Sequence, residues 1–409
     1  MNAFGVPKPY VFRPARYSPL LSPIFGIAAR GLLRRVFRVH AVHVKGAAKL
    51  KELARSGASV LVTPNHADHA DPSVLFLLGR QHGAPFHFMA ARQGFDRSPL
   101  RAFALSRCGA FSVDRDGADI SAIKTAIKIL QNGAFPLVVF PEGEIYHHHE
   151  RLDALNDGAS TILLRAANRL PHGGRAYLIP AAIQYRWAPS VASEFAARLD
   201  RLEERIIWKP RRDRHVVDRI YRLGNGLLAV KEVEFLGSAQ SGTIPERLAG
   251  LRNELVASVE RKHLGKESHG NIPERVRTLR SRIHKQMTDP TAPPHQEQQF
   301  TEFQDDLDKL FEAVQLYSYP GQYVVESPSV HRIAETILKL EEDVLGKASY
   351  LGPRSVHVHF GEPVEIAEFL QKNALDMKNA ARPLTVFMST RIQVMLEEMG
   401  RERNRHLIP

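Results

Sequence analysis

At 409 residues the chain has room for one large domain or two ordinary ones, and its 44% hydrophobic content excludes a disordered tail. A single cysteine, Cys108, excludes an intramolecular disulfide and a cysteine-built zinc site. The net charge of +12 attracts polyanions in general (nucleic acid, an anionic bilayer, phosphorylated or CoA-like ligands) without choosing among them.

Residues 1–18 hold Pro7, Pro9 and Pro14 among aromatics and read as an irregular arm. From Ile24 to Val39 the pattern turns helical. Phe25, Ala29, Leu32, Leu33, Val36, Phe37 and Val39 are expected on one face, and Arg30, Arg34, Arg35 and Arg38 on the other. Such a helix suits a membrane interface, and equally a surface helix with a solvated arginine face. No apolar run reaches the roughly 20 residues that cross a bilayer. No small-residue cleavage site follows an apolar core, which argues against a secretory signal.

After Gly46 strands and helices alternate. Residues 59–63, 86–89, 136–140 and 177–179 are β-rich runs, the first and third each closed by a proline, Pro64 and Pro141. Ile120, Ile123, Ile127 and Leu130 repeat at helical spacing, and residues 157–170 form a further helix. This alternation predicts an α/β fold with a mainly parallel sheet covered by helices. From residue 190 to 350 the chain reads as charged helix, basic in 205–219 and 275–285, acidic in 297–312, with breaks at Pro210, Gly224–Gly226, Pro273 and residues 290–294. Residues 356–360 alternate again as a strand, and a last helix is expected over 384–399. No internal repeat is evident. The expected divisions are an arm and amphipathic helix (1–45), a core (46–188), a helical insertion (189–352), and a closing strand and helix of the core (353–409).

The strand ending at Thr63 delivers Pro64-Asn65-His66-Ala67-Asp68-His69-Ala70-Asp71-Pro72. Strand ends are where α/β folds place reactive groups. An imidazole can take a hydroxyl proton near neutral pH, and a carboxylate on its other ring nitrogen fixes the tautomer. His66 and Asp71 can do this if the loop turns back on itself. Taken alone the spacing is equally that of a satisfied loop histidine. Three further blocks follow in order: Gly109-Ala110-Phe111-Ser112-Val113-Asp114-Arg115, Phe140-Pro141-Glu142-Gly143-Glu144, and Ile179-Pro180-Ala181-Ala182.

Together the four blocks resemble those of the glycerolphosphate/lysophosphatidate acyltransferase superfamily, the bacterial PlsC-like group, over about residues 40–187. The resemblance resumes at His359-Phe360-Gly361-Glu362-Pro363-Val364, which looks like that family's closing strand. It implies a PlsC-like fold with a large helical insertion and transfer of a fatty acyl group from acyl-CoA or acyl carrier protein to the hydroxyl of a lysophospholipid or glycerol-phosphate-like acceptor. His66 would be the general base and Asp71 its partner. Gly109, Phe111 and Arg115 would line the acceptor pocket, with Arg115 on a phosphate. Glu142 and Gly143 would position the alcohol, and Pro180 would shape the acyl side. No cofactor or metal is expected, because the thioester is already activated. The place implied is the cytoplasm, peripheral on the inner face of an anionic membrane.

One departure stands out: the family's third block continues Gly-Thr-Arg, whereas this chain continues Gly143-Glu144-Ile145. A phosphate contact is lost there, and Arg151 could replace it. His147-His148-His149 are not read as a metal site, since adjacent loop histidines rarely converge on one ion. Cys108 is read as a small core residue. The basic helices after Arg205 lack the interleaved aromatics of single-strand binders, so nucleic acid is not an expected partner. Two rivals remain: a thioesterase-like hydrolase of the same fold, and a non-catalytic membrane-binding scaffold.

Overall fold

The apolar runs become strands because both of their faces are covered. The computed structural model describes residues 10–115, 117, 119–288 and 297–405; Pro7, Pro9 and the break at 290–294 lie outside them. Two compact units are present, one built from residues 10–115, 119–186 and 353–405, the other from 187–288 and 297–352.

The first unit holds an eight-stranded sheet: β1 (Val39–Lys45), β2 (Ser59–Pro64), β3 (His87–Ala91), β4 (Ala110–Val113), β5 (Leu137–Val138), β6 (Ala176–Trp187), β7 (Arg354–Phe360) and β8 (Val364–Glu365). The order is β1-β7-β6-β2-β5-β3-β4, with β8 added antiparallel to β6. The pairs β1–β7, β2–β6, β2–β5, β3–β5 and β3–β4 are all parallel. Helix α1 (Ser22–Arg35) precedes β1, and α2 (Ala47–Arg55), α3 (Asp71–Gln81), α4 (Arg92–Asp96), α5 (Pro99–Arg107), α6 (Ile120–Asn132) and α7 (Gly158–Ala167) connect the strands from β1 to β6.

One face of the sheet is closed by α6, α7 and two C-terminal helices. Leu61, Phe111, Leu137 and Leu178 pack against Ala126, Leu130, Leu163 and Ala166. In the helix formed by Ala381–Arg405, Leu384, Met388, Ile392, Leu396 and Met399 recur every three or four residues and are fully buried in the same cluster. On the other face Phe86 lies against Gly79 of α3, where a Cβ would come within 2.8 Å of its ring.

Several boundaries differ from the sequence reading. Residues 39–45, expected to end the first helix and the arm, are strand β1. It sits at the sheet edge and is mostly exposed, so it lacks the apolar signature of the central strands. The fourth apolar run extends from Ala176 to Trp187, and the third shrinks to Leu137–Val138. In α1 the buried stripe is Ser22, Gly26 and Leu33; Leu32 and Val36, expected on the inner face, are exposed, as are Ile24 and Ile27.

The second unit is helical: α8 (Ala192–Ile207), α9 (Val216–Leu236), α10 (Ile244–Leu264), α11 (Ile272–Met287), α12 (Glu297–Tyr317), α13 (Tyr323–Glu326) and α14 (Val330–Leu345). The sheet unit then closes with α15 (Ile366–Lys372) and α16 (Ala381–Arg405). Contrary to the sequence reading, the helical unit contains an internal repeat. Ile244-Pro245-Glu246-Arg247 recurs as Ile272-Pro273-Glu274-Arg275, with Asn225, Glu232, Gly237 and Gly242 matched by Asn253, Glu260, Gly265 and Gly270.

The repeat is a helix corner. A buried Glu in one helix accepts a loop N–H eight residues on and clamps an Arg in the next helix. Glu232 accepts from Gln240 N at 2.9 Å and pairs with Arg247 at 2.7 Å; Glu260 accepts from Ser268 N at 3.1 Å and pairs with Arg275 at 2.7 Å. Glu203, Arg211 N and Arg219 build the same corner between α8 and α9. The Arg247 pairing holds the Glu232 carboxyl below its ordinary pKa.

Gly46 tests the join of β1 to α2. Its φ is +79°, and a Cβ there would sit 2.1 Å from the Phe360 carbonyl oxygen. Left-handed backbone costs an L-residue about 1–2 kcal/mol before that overlap is counted. Gly46→Ala should therefore lower the unfolding free energy measured in urea by about 2 kcal/mol or more. Gly31→Ala, in α1 with nothing within 4 Å of the new Cβ, should instead stabilise by about 0.5–1 kcal/mol.

Candidate active site

The site starts where β2 ends. Asn65 prolongs the pairing with β6 through its side chain: Nδ2 donates to the Ile183 carbonyl at 3.0 Å, and Oδ1 accepts the Ile183 N–H at 2.7 Å. The chain then turns at Asp68, whose Oδ1 accepts from Ala70 N at 2.8 Å, and enters α3 with Asp71 as its first residue. Pro72 suits that position, because first-turn amides need no intrahelical partner.

This turn brings Asp71 back onto His66. Nδ1 of His66 donates to Asp71 Oδ2 at 3.0 Å, and the same oxygen accepts from Asp68 N at 2.9 Å. The Tyr185 phenol donates to Asp71 Oδ1 at 2.7 Å. Three donors and the helix N-terminus hold a carboxylate that has no exposed surface. The His66 ring stacks on Phe140, centroids 4.0 Å apart, and its side chain keeps 15% exposure. With Nδ1 committed, Nε2 is the ring nitrogen offered to a substrate.

Behind the dyad lies a buried ionic layer. Asp68 Oδ2 accepts from Arg354 Nη1 at 2.7 Å, and the guanidinium lies over the Tyr185 ring, 4.3 Å from its centroid. Burial pushes the Asp68 carboxyl up, but Arg354 outweighs burial and holds it below its ordinary value. Burial, with Asp71 and Asp68 alongside, raises Tyr185 well above 10.0, so it stays a phenol able to donate. Burial drives His149 well below 6.5, and its neutral Nδ1 accepts from Tyr185 N at 3.3 Å.

The third block supplies the floor. Glu142, fully enclosed, accepts from His66 N through Oε1 at 2.6 Å and from Asp153 N through Oε2 at 3.3 Å. Burial, with Asp153 nearby, raises its carboxyl well above the ordinary value. Asp153 also receives His148 Nδ1 at 3.0 Å, repeating the four-residue spacing of His66 and Asp71. His147, His148 and His149 are all buried rather than forming an exposed tract.

Gly143 (φ +78°) turns its carbonyl to Arg115, whose Nη1 donates to it. Arg115 Nη1 also pairs with Glu144 Oε2 at 3.1 Å. Arg151, expected to stand in on a phosphate, lies 3.8 Å from Asp153. The remaining expected residues sit in the sheet. Gly109 (φ +93°) leaves no room for a Cβ beside the Phe86 carbonyl. Phe111 is fully buried in the core cluster, its ring 6.4 Å from that of Phe12, and its placement there is that of a core residue rather than an exposed pocket wall. Pro180 pairs with Thr63, and its carbonyl accepts from Gly361 N.

Sequence reasoning missed Asn65, Asp68, Phe140, Asp153, Tyr185 and Arg354. The spacing of His148 and Asp153 was a readable signal. Arg354, 286 residues from Asp68, offered none.

Two measurements probe this network. Tyr185→Phe removes a hydrogen bond to a charged group, and should cost about 1.5–3 kcal/mol of stability in urea unfolding. Glu142, its pKa raised in the fold, binds its proton more tightly folded than unfolded. Its contribution is therefore full below about pH 4.5 and is lost as pH rises toward the folded value. The stability of the wild type should fall relative to that of Glu142→Gln as pH goes from 5 to 8. Parallel curves would place the ionised form in the fold.

Residues 41–184 match the family model described as Acyltransferase, a stretch that begins in β1, ends in β6 and contains the His66–Asp71 dyad, Arg115 and the Glu142 block. No curated protein sequence matches the chain. With the four blocks on a mostly parallel, helix-covered sheet, residues 41–184 make up an acyltransferase-type domain within the chain.

Proposed function

We propose that this domain moves a fatty acyl group from acyl-CoA or acyl carrier protein to the hydroxyl of a lysolipid-type acceptor, with His66 as general base. The observation that carries this is the 3.0 Å hydrogen bond from His66 Nδ1 to Asp71. Nε2 takes the hydroxyl proton as the oxygen attacks the thioester carbonyl carbon. Asp71 stabilises the imidazolium, and Tyr185 keeps Asp71 in place. The tetrahedral intermediate then collapses, and the departing thiolate receives the proton from Nε2. Stacking on Phe140 and the Glu142 bond to the His66 amide fix the ring before substrate arrives.

His66→Ala should lower transfer about 10²–10⁴-fold without loss of fold, since no second base contacts Asp71 among the described residues. Labelled acyl-CoA with a panel of lysolipids, products identified by mass, checks this. Transfer at wild-type rate by a folded variant would remove His66 from the chemistry. Free fatty acid as the sole product would make the protein a hydrolase.

The same reading places the protein peripherally on the inner face of an anionic membrane. No described helix is long and apolar enough to cross a bilayer. Leu20, Ile24 and Ile27 are exposed by 87%, 60% and 71%, close to Arg30, Arg34 and Arg35 in the same helix region. Each basic residue near such a surface contributes about 1 kcal/mol. Replacing Arg30, Arg34, Arg35 and Arg38 with Gln should release the protein from anionic vesicles in co-sedimentation. Equal binding by variant and wild type would leave α1 a packed surface helix.

A further inference from the structure

We infer that Glu144 sets the acceptor class: the hydroxyl compound that enters this site carries no phosphomonoester and is uncharged or zwitterionic there. The inference rests on the acyl-transfer reading above and narrows its acceptor.

Arg115 meets the third block directly, at the Gly143 carbonyl and at Glu144. Asp119 caps α6 through Ala122 N at 2.9 Å and accepts from Asp114 N at 3.0 Å, which sets the turn carrying Arg115. Gly143 presents its carbonyl to the guanidinium, and Glu144 follows as its carboxylate partner at 3.1 Å. Both side chains of the pair are 36% exposed, so the pair faces solvent at the edge of the Glu142 block rather than lying in the core.

A phosphomonoester carries about −1.5 to −2 charges at pH 7 and binds where an arginine fork is unspent. Here the fork is already engaged by a carbonyl and a carboxylate, and Glu144 would stand as a like charge beside an arriving phosphate. The other arginines joined to this network each lie near a carboxylate of their own, Arg92 and Arg151 in looser ion pairs than Arg115. Arg92 lies 3.6 Å from Asp114, Arg151 3.8 Å from Asp153, and Arg354 2.7 Å from Asp68. A neutral hydroxyl or a zwitterionic headgroup meets no such penalty, and an ammonium would find Glu144 a partner. Selection works by repulsion as much as by attraction.

The test compares wild type with Glu144→Thr, which removes the carboxylate and leaves Arg115 exposed. Labelled acyl-CoA is offered with monoacylglycerol, lysophosphatidylcholine or lysophosphatidate. Wild type should prefer the first two. Glu144→Thr should shift kcat/KM toward lysophosphatidate by about tenfold or more, and the double variant Glu144→Thr/Arg115→Gln should lose that gain. Wild-type preference for lysophosphatidate, or a shift under twofold in Glu144→Thr, would overturn the inference. A parallel calorimetric titration with glycerol 3-phosphate needs no turnover. Tighter binding by Glu144→Thr than by wild type supports the role of Glu144, and equal binding overturns it. If no acceptor is acylated by either protein, the acyl-transfer reading fails, while this titration still decides what Glu144 does.

Discussion

A carboxylate with no exposed surface organises the site. Asp71 lies at the start of α3 and is held by His66, by the Asp68 amide and by Tyr185. An unpaired buried charge would be costly, so each of these donors is a requirement of the fold, and on the proposed mechanism of the chemistry too. That requirement reaches outward. Tyr185 must remain a phenol, and burial between Asp71 and Asp68 ensures it. Asp68 must be compensated, and Arg354 on β7 does so from far along the chain. The C-terminal strand therefore belongs to the site, through Asp68 and Tyr185.

Glu142 plays the complementary part. Its two oxygens accept from the His66 amide and the Asp153 amide, so the loop after β5 is tied to the loop after β2. Of the two carboxyls beneath the His66 loop, one is surrounded by donors and one is pushed toward neutrality by burial and by Asp153. A buried carboxyl with a strongly raised pKa beside a histidine is the kind of group often found where protons move.

How much was legible in the sequence follows from how local each feature is. The central strands were readable because both of their faces are covered, which leaves continuous apolar runs such as residues 59–63. The His66–Asp71 pair was readable because both partners lie within one nine-residue stretch that runs from the end of β2 into α3. Strand β1 was not: at the sheet edge only Val39 is buried, and the periodicity ran on from α1. Tyr185 and Arg354 carry no local sign of their role, since it exists only once β6 and β7 lie side by side. The helix corners stand between these cases. Ile-Pro-Glu-Arg is written twice, but charged helical sequence hides the repeat until the buried Glu–Arg clamps give it a reason.

Charge divides along similar lines. Residues 187–352 carry 24 Lys and Arg against 25 Asp and Glu, while the rest of the chain carries 32 against 19. The positive excess therefore belongs to the sequence that builds the sheet unit. Yet the arginines joined to the dyad's network are each matched to a carboxylate: Arg92, Arg115, Arg151 and Arg354. The uncompensated cations must lie elsewhere on that unit, and Arg30, Arg34, Arg35 and Arg38 are exposed among them. On the proposed reading, long-range attraction to an anionic surface and short-range recognition of the acceptor fall to different residues. Such a division would let a basic protein gather at an anionic surface while the charges around His66 and Asp71 stay matched.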